Sequence, residues 1–116
     1  MKKNIILLVE DDPIFRECLK EYFEADGFLV LEASNGVEAD KQLAQVTPDY
    51  IMLDISMPEK DGFEVISSLK SSGIQIIAMS GSENNVAMAK SLGADIAILK
   101  PIDFTCLGDV IKSLTN

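Results

Sequence analysis

Glu10, Asp11, Asp54, Ser80 and Lys100 each stand where an apolar run of the chain stops. Ile5–Val9 gives way to Glu10-Asp11-Asp12, residues 50–53 to Asp54, residues 76–79 to Ser80, and Ile96–Leu99 to Lys100-Pro101. If these runs are parallel strands, their carboxyl ends share one edge of a sheet, the edge where open α/β folds place ligand sites. Acids, a hydroxyl and an ammonium then converge from segments far apart in sequence. Gathered carboxylates repel one another, so such a cluster calls for a bound cation.

The elements that must position these residues alternate between short apolar runs and longer amphipathic segments, the pattern of βα units around a parallel sheet. Ile5–Val9 is nearly continuous in apolar residues, as in a central strand covered on both faces. Asp12 then reads as a helix N-cap rather than a ligand, with Pro13 in the first turn. Phe15, Cys18, Leu19, Tyr22 and Phe23 form a helical stripe that ends near Asp26-Gly27. Leu29–Ala33 is the second strand and Ser34-Asn35-Gly36 the turn after it. A weaker helix over residues 37–46 turns Ala39 and Leu43 inward and is broken by Thr47-Pro48-Asp49.

The third strand is residues 50–53, and the loop over 55–62 leads to a helix reaching about Lys70 that buries Phe63, Ile66 and Leu69. Ser71-Ser72-Gly73 closes it. The fourth strand is residues 74–79; a helix carrying Val86, Ala89 and Leu92 follows and stops at Gly93. Ile96–Leu99 is the fifth strand, and a last helix over 103–114 turns Leu107, Val110, Ile111 and Leu114 inward. No internal repeat, low-complexity tract or linker interrupts these five βα units.

A length of 116 residues suits one domain with one core, and 47% apolar content suits a soluble globule. Nineteen acidic against ten basic residues give a formal charge of −9. That balance argues against direct binding to nucleic acid or an anionic membrane, since phosphate surfaces require a cationic partner. No apolar run approaches the roughly 20 residues of a membrane span. Met1-Lys2-Lys3-Asn4 before Ile5–Val9 has a faint likeness to a signal peptide, but Glu10-Asp11-Asp12 breaks the apolar stretch too early for export. Cys18 and Cys106 form neither a disulfide framework nor a zinc pattern. Cys18 is expected in the core and Cys106 as a small helical residue, in a reducing cytoplasm.

The segments Leu8-Val9-Glu10-Asp11-Asp12-Pro13, Leu53-Asp54-Ile55-Ser56-Met57-Pro58 with Gly62, Met79-Ser80-Gly81 and Leu99-Lys100-Pro101 resemble the receiver domains of two-component response regulators, of the chemotaxis-regulator kind. The resemblance runs over nearly the whole chain, in order and in spacing. It implies a doubly wound, three-layer α/β/α fold with a five-stranded parallel sheet in the order 2-1-3-4-5, over residues 1–116. It implies phosphorylation of Asp54 with Mg²⁺ as cofactor. Asp11 and Asp54 would bind the metal directly, Glu10 through water, and Ser56 through its backbone carbonyl. Lys100 would pair with the acceptor carboxylate and then with phosphoryl oxygens, and the Ser80 hydroxyl would bond the phosphoryl group once attached. Many relatives carry Asp where Glu10 stands, and the Lys-Pro bond is usually cis. The residue types suit this chemistry, because phosphoryl transfer to a carboxylate needs positioning and charge compensation above all.

The chain contains no histidine, so the phosphohistidine donor, a histidine kinase or phosphotransfer protein, must be another protein or domain. Ile14 is either an apolar contact for that donor or a residue at the edge of the core. Where many receivers carry Tyr or Phe three residues before the lysine, this chain has Ala97, so output is expected through Ser80 and the loop over 81–85. Met1 at the usual family start favours a natural N-terminus. The chain ends with the fifth helix, which fits a stand-alone receiver acting on a downstream protein or the receiver of a larger regulator with an output domain. By the same resemblance the domain would catalyse only its own phosphorylation and dephosphorylation. A phosphatase with an aspartyl-phosphate intermediate would want an acid where Ser56 stands, and an unphosphorylated interaction module would not need the five polar residues together.

Overall fold

Ile6, Leu7, Leu8 and Val9 are consecutive and apolar, and such a run is stable in a strand only when both faces of the sheet are covered. The computed structural model, which describes residues 4–56 and 62–114, has all four fully buried. Five strands, β1 (Ile5–Val9), β2 (Leu29–Ala33), β3 (Tyr50–Asp54), β4 (Gln75–Ser80) and β5 (Ile96–Leu99), form one parallel sheet in the order β2-β1-β3-β4-β5. Five helices alternate with them: α1 (Pro13–Ala25), α2 (Gly36–Leu43), α3 (Gly62–Leu69), α4 (Glu83–Leu92) and α5 (Phe104–Lys112).

Side chains alternate across the sheet and so divide the core in two. Leu7, Val9, Ile51, Leu53, Ile76 and Ala78 meet Ala39, Val65, Ile66 and Ala89 from α2, α3 and α4 on one face. Ile6, Leu8, Tyr50, Met52, Ile77 and Met79 meet Leu19, Phe23, Leu107 and Ile111 from α1 and α5 on the other. Four helices begin on a side chain that accepts a backbone N–H of the first turn: Asp12 for α1, Asn35 for α2, Ser82 for α4 and Asp103 for α5. Gly62 opens α3 hard against the residue after Asp54; a Cβ there would lie 2.6 Å from the Ile55 Cα.

Several boundaries differ from expectation for identifiable reasons. β3 and β4 each run one residue further, so Asp54 and Ser80 are themselves the last residues of their strands. α2 stops at Leu43 rather than 46, where the Gln45 N–H turns back only three residues to the Gln42 carbonyl and tightens the last turn. Cys18 is exposed and not in the core. At 100° per residue it lies about 120° from the midpoint of Leu19 and Phe23, outside the face that packs. Ile14 is 77% exposed and takes no part in the core edge. The loop residues Met57, Pro58, Glu59, Lys60 and Asp61, like Met1, lie outside the described residues.

Candidate functional site

Three adjacent strands and one edge strand deliver the polar residues to a single place. Glu10 follows β1 and continues its ladder, donating its N–H to the Ala33 carbonyl at 3.1 Å. Asp54 ends β3 opposite Met79, and Ser80 ends β4 opposite Leu99. Lys100 extends β5 by one step, its N–H on the Ser80 carbonyl at 2.8 Å. The Lys100–Pro101 peptide bond is cis.

The side chains close on one another. The Lys100 ammonium donates to Asp54 Oδ2 at 2.7 Å and to Glu10 Oε1 at 3.1 Å. The second oxygens of these acids are held by backbone: Asp54 Oδ1 accepts the Ser56 N–H at 2.8 Å and Glu10 Oε2 accepts the Asp12 N–H at 3.1 Å. Glu10 and Asp54 are buried, whereas Asp11 is exposed. Each of the three acids offers a carboxylate oxygen within 4.8 Å of the others. Fully ionised, three carboxylates and one ammonium leave two negative charges in excess.

Burial pushes the Glu10 carboxyl above its ordinary value; the Asp12 amide opposes this, the Asp11 carboxyl adds to it, and Lys100 opposes it, with a net upward shift. For Lys100 burial acts downward, but hydrogen bonds to Asp54 and Glu10 and the charges of both acids outweigh it, so the ammonium is held above its ordinary value. The Lys100 ammonium therefore stays charged between the two acids. The donor set is all oxygen, with two buried carboxylates fixed by backbone and a third open to solvent, which fits a hard divalent cation such as Mg²⁺.

Ser80 is fully buried, and its Oγ accepts the Ser82 N–H at 3.1 Å and the Asn85 side-chain amide at 3.4 Å. Ser56 contributes its N–H to Asp54 and has an exposed side chain. Asp12 caps α1, as read from the sequence. Ala97 is partly buried and packs against the α2–α3–α4 side of the core.

Two neighbours escaped the sequence reading. Arg16 donates from a guanidinium NH₂ group to the Glu10 carbonyl at 2.6 Å and from Nε to Glu32 at 3.1 Å, tying the end of β1 to β2 through α1. Its signal was its place four residues after the helix cap, on the face turned to the strand ends. Phe15, read only as part of a core stripe, lies with its ring under the Lys100 ammonium, 5.0 Å from nitrogen to centroid.

Comparison with known proteins places these features in context. The family model of the response regulator receiver domain matches residues 6–112. The chemotaxis protein CheY of Halobacterium salinarum is 36% identical over 113 residues, covering 94% of this chain and 94% of that protein. Sporulation initiation phosphotransferase F of Bacillus subtilis is 31% identical over 97% of this chain and 94% of its own length. The Regulator of RpoS of Escherichia coli is 35% identical over 84% of this chain, but only 30% of its own length is spanned. Among solved structures, the signal receiver domain of a DNA binding response regulator from Colwellia psychrerythraea superposes with a TM-score of 0.89 at 35% identity, covering 97% of this chain and 98% of that one. The response regulator TrrA of Thermotoga maritima, in complex with Mg²⁺ and BeF, gives 0.86 at 33% identity over 96% and 98% of the two chains.

Proposed function

The chain belongs to the receiver domains of response regulators, and from that premise we propose that it is a Mg²⁺-dependent phospho-acceptor switch, phosphorylated on Asp54 by a histidine kinase or histidine phosphotransfer protein. The observation that carries this reading is the Lys100 ammonium 2.7 Å from Asp54 Oδ2, inside a cluster of three carboxylates. The whole chain, residues 1–116, is taken as the receiver domain, and the reaction is placed in the cytoplasm.

A carboxylate oxygen of Asp54 attacks the phosphorus of the donor phosphohistidine; the new O–P bond forms as the N–P bond breaks, and the imidazole leaves with its electron pair and takes up a proton. Asp11 and Asp54 would hold Mg²⁺ directly, Glu10 through water and Ser56 through its backbone carbonyl; when bound, the metal offsets the charge that repels an incoming phosphoryl group. Lys100 begins on the acceptor carboxylate and ends on phosphoryl oxygens, so its charge follows the negative charge as it moves. Water later cleaves the acyl phosphate and restores Asp54. The domain is thus a reagent in its own modification and turns over no metabolite.

Ser80 supplies the change of state. Its hydroxyl oxygen accepts the Ser82 N–H and the Asn85 amide, and a hydroxyl that moves to reach the phosphoryl group lengthens or breaks the Asn85 bond. Asn85 lies in the first turn of α4, so the β4–α4 connection is the element with two arrangements to choose between. A downstream protein or an output domain would read that surface. Ala97, where an aromatic would otherwise report the change, favours a second reading as an interaction module that works without phosphate.

Incubation with a small phosphoramidate and Mg²⁺, followed by intact mass, separates the readings. One phosphoryl group on the wild type and none on Asp54→Asn is expected. No label on the wild type leaves the interaction module, and release of many equivalents of phosphate indicates a phosphatase. The donor is expected to dock beside α1 on the exposed Ile14. Ile14→Asp should slow transfer from the protein donor while sparing the small one; equal loss of both rejects the docking role.

A further inference from the structure

We propose that Phe15 is a positioning residue for the acceptor lysine: its ring face closes the remaining side of the Lys100 ammonium and holds that group on Asp54. The inference rests on the reading of Asp54 as the phosphoryl acceptor.

An ammonium has three N–H donors, and here two point to carboxylates, at 2.7 Å and 3.1 Å. The third side faces the π cloud of Phe15, with 5.0 Å between nitrogen and ring centroid, inside the range of about 6 Å over which a ring quadrupole attracts a cation. The ring is itself braced. Phe104 of α5 meets it edge-on, with centroids 6.3 Å apart and planes at 71°, and Tyr22 packs on Phe104 at 5.4 Å. A Cβ on Gly108 would stand 2.8 Å from the Tyr22 hydroxyl, so a bare backbone at that point of α5 is what lets the bracing residues close up.

The other side of the ring explains why this matters. Lys100 reaches the site on a four-carbon stem from an edge strand, and its side chain is 27% exposed. Beside it lies a cavity of about 580 Å³ lined by Asp12, Phe15, Lys100, Pro101, Ile102 and Phe104. Phe15 and Lys100 both line that open space, and the ring covers one side of the ammonium there. Without the ring, water from the cavity solvates the third N–H and stabilises rotamers that swing the nitrogen away from Asp54. A leucine would fill much of the same volume but presents no π face.

Phosphorylation by a small phosphoramidate at saturating Mg²⁺ tests this. Phe15→Leu is expected to slow the reaction about 5-fold and Phe15→Tyr less than about 2-fold, and in a Lys100→Met background Phe15→Leu should add no further loss. Wild-type rates in Phe15→Leu, or an equal loss with and without Lys100, would overturn the proposal in favour of simple core filling. A second readout needs neither phosphate nor a foldable variant. The Lys100 ε-methylene protons of the wild type should resonate upfield through the ring current, and do so again in Phe15→Tyr; an ordinary position in the wild type overturns the proposal. Wild-type protein that takes no phosphate yet shows the upfield shift would instead reject the acceptor reading while leaving the Phe15–Lys100 contact standing.

Discussion

Acids occupy both edges of the sheet, and they do opposite things there. At the amino edge Asp49, just before β3, accepts the Ile5 N–H of β1 at 2.7 Å, and Asp95, just before β5, accepts the Ile76 N–H of β4 at 2.7 Å. Each carboxylate is paired with a backbone amide of the neighbouring strand and so fixes the stagger of two strands. At the carboxyl edge Glu10, Asp11 and Asp54 bring carboxylate oxygens within 4.8 Å of one another, and one ammonium pairs with two of them. The same chemical group thus serves the fold at one edge and, under the proposed function, burdens the fold at the other in return for affinity toward a cation. Local charge balance, not residue type, separates the two roles.

Substitution at each edge should break this symmetry in opposite senses. The largest effect is expected from Asp11→Asn, which should weaken Mg²⁺ binding by about 100-fold, on the scale by which disturbed metal sites lose affinity; titration of the bound metal by calorimetry checks it, and unchanged affinity would remove Asp11 from the ligand set. Next, Asp95→Ala should lower stability by about 1–2 kcal/mol by leaving the Ile76 N–H unpaired, read from the urea midpoint, while Mg²⁺ binding and phosphorylation persist. A smaller gain is expected when Asp11→Asn is unfolded without metal. Relief of like charge should stabilise it by less than about 1 kcal/mol, and a loss of stability would contradict the comparison.

The smallest effect is a slope with pH. Because the Glu10 carboxyl titrates above its ordinary value of 4.5 in the folded chain, the native state binds more protons than the unfolded one between those two values. Stability contributed by this group is therefore present below 4.5 and falls as pH rises through the folded value. The slope cannot exceed about 1.4 kcal/mol per pH unit for one proton. Glu10→Gln should remove it, so the stability difference between metal-free variant and wild type should widen in the variant's favour above pH 4.5. Parallel stability curves would show that the Glu10 proton is not linked to folding.

The legible part of this molecule is the part governed by period and punctuation. β1, β2 and β5 run over the residues expected, because short apolar blocks between Gly, Pro and acids admit few other readings. The meeting of Glu10, Asp54 and Lys100 follows from the same logic, since parallel strands bring their ends to one edge. What escaped depends on angle and on contacts between distant layers. Cys18 fell on a helical spacing but off the packed face, and Phe15 looked like one more core aromatic until α5 and Lys100 were placed around it. Arg16 holds a legible helical position four residues after the cap, but its partners, the Glu10 carbonyl and Glu32, are joined only by the fold.

Ser80 pairs with Leu99, and Lys100 is the very next residue on the edge strand. Successive residues of a strand point to opposite faces. One residue inserted within β5 would therefore carry the ammonium to the far side of the sheet, whereas additions at the turn after Ser71 would leave it in place. The tolerance of this chain to lengthening is thus sharply uneven: generous at the amino edge, and absent over the four residues that aim a single positive charge.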